Sequence, residues 1–291
     1  MSSFSDRASA GSFIASLKPF DTSGVELGND DDQIKPSVDV NSPQEANILS
    51  QMDVSSSESH PRYSKDLALM CLRGRKYDPA RASELLPNFL SLLDDVDLQR
   101  EKKTQLVKDI QSKKVIHLGS KDSYDRGIFW LRLRYHNPTV SKSEDMARLL
   151  TMTFVRGLES DTDLQRNGIA LVQDMTGLSL SNLDPRTAKA LFTKVLTRLP
   201  IRVGKIVLFR PPWIIGSIII PIFFTFLNKK LRSRISICYD HETLNKYLSP
   251  DALPAELNGS LAFDEDGYVR DMIQSASATA PSSRYEFQST G

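Results

Sequence analysis

Three things are scarce in this chain: cysteine, metal-ligand spacing, and, over one long stretch, acid. Only two cysteines occur in 291 residues, Cys71 and Cys238, both in apolar surroundings and far apart. They fit buried thiols of a reducing compartment better than a disulfide. The four histidines, His60, His117, His136 and His241, complete no ligand pattern with them, which argues against a zinc finger or ribbon. There is no phosphate-binding loop, no GxSxG elbow and no dinucleotide glycine fingerprint, so the corresponding nucleotide and acyl-transfer chemistries lack their motifs. Asp174 in "QDMTG" stands where α/β enzymes often place catalytic groups, but no partner base is in view. The plainer role is that Asp174 and Gly177 shape the turn.

An apolar run long enough to cross a bilayer is also missing. Residues 213–227, "WIIGSIIIPIFFTFL", are fifteen in number. As a helix they reach about 22 Å, against a hydrocarbon core about 30 Å thick. Extending the run back to Ile206 brings in Arg210, Pro211 and Pro212, and Pro221 interrupts its middle. Neither end carries a cleavable secretory pattern. The expected address is the cytosol.

The third scarcity is the most informative. Between Pro185 and Tyr239 there is no acid, against eleven bases: Arg186, Lys189, Lys194, Arg198, Arg202, Lys205, Arg210, Lys229, Lys230, Arg232 and Arg234. A charge run is ordinarily a solvated face. This one brackets an over-apolar helix, and bases beside exposed apolar surface suit an anionic membrane, at about 1 kcal/mol per base near the surface. Nucleic acid is the weaker partner, because few aromatics interleave with these bases and no recognition motif is present.

A formal net charge of +1 hides strong segregation. Residues 1–60 hold ten acids, three bases and fourteen serines, and residues 264–291 five acids and two bases, which leaves +11 on residues 61–263. The acidic, serine-rich 1–61 and the 264–291 tail are expected to be mostly disordered. Residues 62–114 are expected to form a helical lobe, beginning with a hairpin at 65–98 broken at "YDP". From 115 strands and helices alternate: strands at Val115–Leu118, Ile128–Tyr135, 168–174, 204–209 and 234–240, a helix opened by a Ser141/Glu144 capping box, and one opened by Asp184–Pro185. This order predicts an α/β domain over 115–263 with a mostly parallel sheet. The helix at 214–227 is apolar nearly all round, more than packing on a sheet requires, so a second apolar partner is expected.

Several stretches resemble one family. "LRGRKYDPARA" (72–82), "QRNGIALVQDMTGLSLSNL" (165–183), "LPIRVGKIVLFRPPWII" (199–215), "FLNKKLRSRI" (226–235) and "LPAELNG" (253–259) are similar, in the same order, to elements of CRAL-TRIO lipid-binding proteins. They are most similar to the branch of tocopherol- and retinaldehyde-binding proteins and clavesins. Departures are "FRPPW" in place of an asparagine before the "PW" pair, a gate one residue longer than usual with Pro221 inside it, and "LNG" for "YGG".

The resemblance implies a sheet flooring a lipid pocket, closed by a mobile gate helix at 214–227, with no catalysis, no metal and no cofactor beyond a bound hydrophobic lipid. Ile215, Ile218, Ile219, Ile222, Phe223 and Phe226 become the gate and pocket residues, and Arg75, Arg202, Lys230 and Arg234 the phosphoinositide site. Arginine pairs bidentately with phosphate and lysine offers a point charge. The expected function is lipid binding and transfer, docked on endosomal or other intracellular membranes through phosphatidylinositol bisphosphate. The alternative is a scaffold of the same fold without lipid transfer, with the N-terminal arm as a protein-binding or phosphorylated segment.

Overall fold

A computed structural model describes residues 42–97, 103–225 and 227–277. The expectations placed on residues 1–41 and 278–291 therefore lie outside the described residues. Helix α1 (Ser42–Leu49) comes first, followed by the expected hairpin, α2 (Lys65–Gly74) and α3 (Pro79–Asp97). Ser64 caps α2 by accepting from the Leu67 N–H at 3.2 Å. Lys76 and Tyr77 turn the chain with φ of 56° and 61°. Helix α4 (Lys103–Gln111) leads into the sheet.

The sheet has five strands in sequence order: β1 (Val115–Lys121), β2 (Gly127–Arg132), β3 (Ile169–Asp174), β4 (Val203–Phe209) and β5 (Ile235–Cys238). The first pair is antiparallel and the other three are parallel, as the alternation of elements predicts. Strands β2, β3 and β4 read as apolar runs because both faces are covered. Phe129, Leu131 and Leu171 face one core with the helical lobe, while Trp130, Val172 and Val207 face a second core closed by Leu244, Leu253 and Leu257.

On the first face lie α5 (Ser143–Ser160), α6 (Thr162–Asn167) and α7 (Pro185–Ala190), the last prolonged by a π turn, Leu191–Val195. Then come the gate segment, α9 (Lys229–Ser233), the short α10 (His241–Leu244) and α11 (Glu265–Ser277). The gate segment itself is a π turn, Ile215–Ile219, running into α8 (Ile220–Thr225).

The structure departs from the sequence reading at four places. Strand β2 stops at Arg132, and Leu133–Tyr135 form a 3-10 turn, because Arg132 is pulled inward to Glu265 at 2.9 Å and stacks 4.1 Å over Trp130. Ser141 does not open α5. Its hydroxyl accepts from the buried Lys114 at 2.9 Å, and Asp145 takes the capping role by accepting from the Lys142 N–H. Residues 42–60, expected to be disordered, are tied down by Glu45, which is 5% exposed and bonded to Arg73, Tyr77 and Arg166. Inside the 264–291 tail, α11 buries Met272 and packs Val269, Ile273 and Ala276 on the core, an apolar stripe at helical spacing that the acidic composition obscures.

Candidate functional site

The gate segment lies over a cavity of about 150 Å³ floored by the sheet through Leu131, Leu171, Ile206 and Leu208. Helix α5 contributes Met146 and Leu150, and α7 with its π turn contributes Ala188, Leu191 and Phe192. Of the six expected gate and pocket residues, Ile215, Ile219 and Phe223 line this cavity. Ile218 and Ile222 do not. They are half-buried on the flanks of the helix, and Ile220 and Phe224 take the inward positions instead. Phe226 lies outside the described residues.

The reason for the exchange is the π turn, which inserts one residue and advances the helix face. Sequence spacing alone counts in steps of 3.6 residues and misses it. Trp213, Ser217, Pro221 and Thr225 consequently form the exposed stripe. Only Trp213, 61% exposed, is a large apolar group among them, with Tyr239 beside the same segment at 60%. The uncovered apolar face is therefore smaller than the sequence led one to expect.

The four proposed headgroup residues sit at one edge of the domain. Strands β4 and β5 run parallel side by side, Arg202 immediately precedes β4, and Arg234 immediately precedes β5, its carbonyl accepting from the Ile206 N–H at 2.8 Å. Arg75 caps α2 at its C-terminal end. The preceding Gly74 is pressed on Pro200, where an added Cβ would come within 2.6 Å of the Pro200 carbonyl oxygen. Gly168 plays the same part before β3: its φ is +87° and a Cβ would lie 2.3 Å from the Arg202 carbonyl oxygen. Two glycines thus bring α2 and the start of β3 against residues 200–202.

Arg75, Arg202 and Arg234 are 6%, 2% and 4% exposed, and all three interact within the fold. Lys230, on α9, is exposed. Of the remaining bases in the acid-free run, Arg198 is held by Asp95 at 2.7 Å and Lys205 lies 4.0 Å over the Tyr247 ring, whereas Lys189, Lys194, Arg210, Lys229 and Arg232 face solvent.

Asp174 has the plain role. One carboxylate oxygen accepts from the Thr176 N–H at 2.9 Å and the other from Arg134 at 2.5 Å, and Gly177 takes a φ of +70° in the same turn. It does not line the cavity. Among the described residues no cluster of His, Cys, Asp and Glu could hold a metal ion, and no helix is long and apolar enough to cross a membrane. Both cysteines are buried and unbridged, and burial pushes the Cys71 thiol up to about 12.

What sequence reasoning missed are the polar residues of the cavity wall. His136 and Thr187 line it together with Gln173, Asn182 and Asp184. His136 is 2% exposed, and burial, aided by the charge of Lys114, holds its imidazole down near 4. A lone histidine after a strand gives no spacing signal that could have singled it out.

The profile of the CRAL/TRIO domain matches residues 110–259. The chain belongs to the CRAL/TRIO domain family. This CRAL/TRIO chain is 26% identical over 207 residues to the human tyrosine-protein phosphatase non-receptor type 9, a match covering 68% of this chain and 33% of the phosphatase. It is 25% identical over 217 residues to clavesin-1 of Xenopus laevis, covering 70% and 64% of the two chains. To the phosphatidylinositol transfer protein CSR1 of Eremothecium gossypii it is 23% identical over 222 residues, covering 71% and 50%. The CRAL/TRIO chain thus spans between one third and two thirds of the length of these relatives. The crystal structure of Sfh5 superposes with a TM-score of 0.45 at 12% identity, covering 86% of this chain and 98% of that one.

Proposed function

We propose that this CRAL/TRIO protein binds one lipid in the cavity under the gate segment and carries it between membranes, without catalysing a reaction. The observation that carries the reading is the cavity itself: apolar, floored by the sheet, and covered by a helical segment that a π turn and a proline keep from being regular. A cavity of about 150 Å³ admits little more than a ring-sized group, so a longer cargo enters only as the gate swings outward. One relative is by its name a phosphatidylinositol transfer protein, which favours lipid as the cargo class.

Docking follows from the charge. In this reading a phosphoinositide headgroup engages Arg75, Arg202, Lys230 and Arg234 at the basic edge, with Lys230 making first contact and the arginines reached as the lobe yields. The protein then works from the cytosolic side, peripherally, on membranes bearing phosphatidylinositol bisphosphate. Vesicle flotation of the whole chain tests this. Changing Lys230 and Arg234 to Ala is expected to lower binding to phosphatidylinositol bisphosphate vesicles by about an order of magnitude, and more at low salt. Unaltered binding rejects the headgroup site.

The second reading is a CRAL/TRIO scaffold without lipid transfer, with an N-terminal arm that recruits a protein partner. The small cavity is what favours it. Native mass spectrometry of protein purified from cells separates the two: a co-purifying lipid supports transfer, and a lipid-free chain that takes up no lipid offered to it supports the scaffold.

A further inference from the structure

Among the hydroxyl side chains of the acid-free run, Ser217, Thr225 and Ser233 are exposed. Ser233 alone of these has a base directly on each side, Arg232 and Arg234, with Lys229 and Lys230 four and three residues before it. It is the last residue of α9, and its hydroxyl makes one hydrogen bond, donating to the Lys230 carbonyl at 2.7 Å within the same helix. Residues three and four apart are neighbours on a helix surface, so Lys229, Lys230 and the Ser233 hydroxyl share one face of α9.

The segment is lightly held. Of its five residues only Leu231 is buried. Asn228 caps the first turn by accepting from the Leu231 N–H at 2.8 Å, and Arg232 donates to the Leu227 carbonyl at 3.1 Å. A helix this short has little stability of its own, so it opens locally at small cost and can present Ser233 in an extended strand.

We propose that Ser233 is a phosphorylation site that switches the basic edge off. The partner is a serine-directed protein kinase whose peptide groove carries carboxylates to read the bases on both sides. In the transfer the Ser233 Oγ–P bond forms while the bond from the γ-phosphorus of ATP to the β–γ bridging oxygen breaks. The hydroxyl proton passes to the kinase's catalytic aspartate, and ADP leaves. The product carries a charge of about −1.5 to −2 and three acceptor oxygens. Beside Lys229 and Lys230, with no acid in the run to compete, it draws both ammonium groups onto itself. At the C-terminal end of α9 the same charge opposes the helix dipole, which loosens the turn that leads through Arg234 into β5. Both effects weaken docking: Lys230 is held in an internal pair, Arg234 loses its fixed place, and an anionic membrane meets a second anion. The inference rests on the docking reading proposed above and names the regulation of that site.

The test uses the whole chain with phosphoserine installed at position 233 during synthesis, beside wild type, Ser233→Ala and the double variant Lys230→Ala/Arg234→Ala. Flotation with phosphatidylinositol bisphosphate vesicles compares them. The phosphorylated chain is expected to bind about thirtyfold more weakly than wild type, as the loss of two bases near the surface would do, and Ser233→Ala to bind like wild type. If the phosphorylated chain floats like wild type while the double variant does not, the inference falls and the docking reading stands. If all four float alike, both fall. The acceptor role is read separately with the catalytic fragment of protein kinase C, an enzyme that selects serines among bases, and magnesium ATP. It is expected to phosphorylate Ser233, located by tandem mass spectrometry, and to weaken vesicle binding of wild type but not of Ser233→Ala. Treated protein with no phosphate on Ser233 overturns the site.

Discussion

The backbone N–H of Ile220 donates to the carbonyl of Ile215, five residues back, in the turn immediately before Pro221. Proline has no N–H to give, and in a regular α-helix its ring strikes the carbonyl four residues earlier, here that of Ser217. A π turn on its N-terminal side, within the unbroken helical stretch 213–225, widens the helix at that point and so makes room for the ring of Pro221. The extra residue and the proline, which look like two separate oddities in the sequence, are one structural device.

Replacing Pro221 by Ala restores the missing donor and lets the α register propagate through the gate. Proline costs about 3 kcal/mol in a helix interior, and the π turn already relieves part of that, so we expect about 1 kcal/mol of added gate stability. Hydrogen exchange of residues 215–221 should slow, and cargo exchange between vesicles should slow about fivefold with it. Exchange and transfer both at wild-type rates would show that the π turn has no part in opening.

Filling the cavity tests the cargo site independently of the gate. Ile206 sits on the sheet floor, 6% exposed, and lines the cavity. Ile206→Trp puts an indole where the lipid goes. Because the side chain enters empty space rather than a packed core, the usual overpacking cost of about 1–3 kcal/mol is largely avoided. Uptake of a fluorescent lipid should fall at least tenfold with the thermal midpoint little changed and phosphoinositide vesicle binding intact. Wild-type uptake would place the cargo elsewhere.

The basic edge is held by close backbone approach. Gly168→Ala adds a Cβ 2.3 Å from the Arg202 carbonyl oxygen at a φ of +87°, so backbone must shift and the substitution is expected to cost more than about 2 kcal/mol. Gly74→Ala meets the Pro200 carbonyl at 2.6 Å and should behave alike. Chemical denaturation reads the stability, and flotation at a temperature where the variants remain folded reads the site. Headgroup binding that survives both substitutions would separate residues 200–202 from the docking site.

Much of the frame is legible in the sequence because its signals are local. Asp184 followed by Pro185 caps a helix, "GKIVLF" is apolar throughout because β4 is covered on both faces, and the "YDP" break parts α2 from α3. What escapes depends on partners distant along the chain. Ser141 loses its cap to Lys114, and Arg132 ends β2 by reaching Glu265, 133 positions away. The gate register escapes because a π turn leaves no mark on the spacing of isoleucines. His136 and Thr187 escape because a polar residue in a cavity wall looks, in one dimension, like any polar residue in a loop.

Glu45 shows how an acidic residue of the serine-rich arm contributes to the folded lobe, and its titration gives the last test. Burial alone would raise its carboxyl, but hydrogen bonds from Arg73, Tyr77 and Arg166, with the charge of Arg73, outweigh that and bring it from 4.5 down to about 2. A depressed carboxylate stabilises the fold fully above its unfolded value and loses that contribution as pH falls through the folded one. Glu45→Gln should therefore cost up to about 3 kcal/mol at pH 7, the equivalent of the shift. The gap between wild type and variant should narrow as pH drops from about 4.5 toward 2, because wild-type Glu45 becomes neutral as well. Urea midpoints of both proteins at pH 7, 5 and 3.5 measure it. A gap of constant size at all three would assign the effect to packing of α1 rather than to the charge that ties it to Arg73 and Arg166.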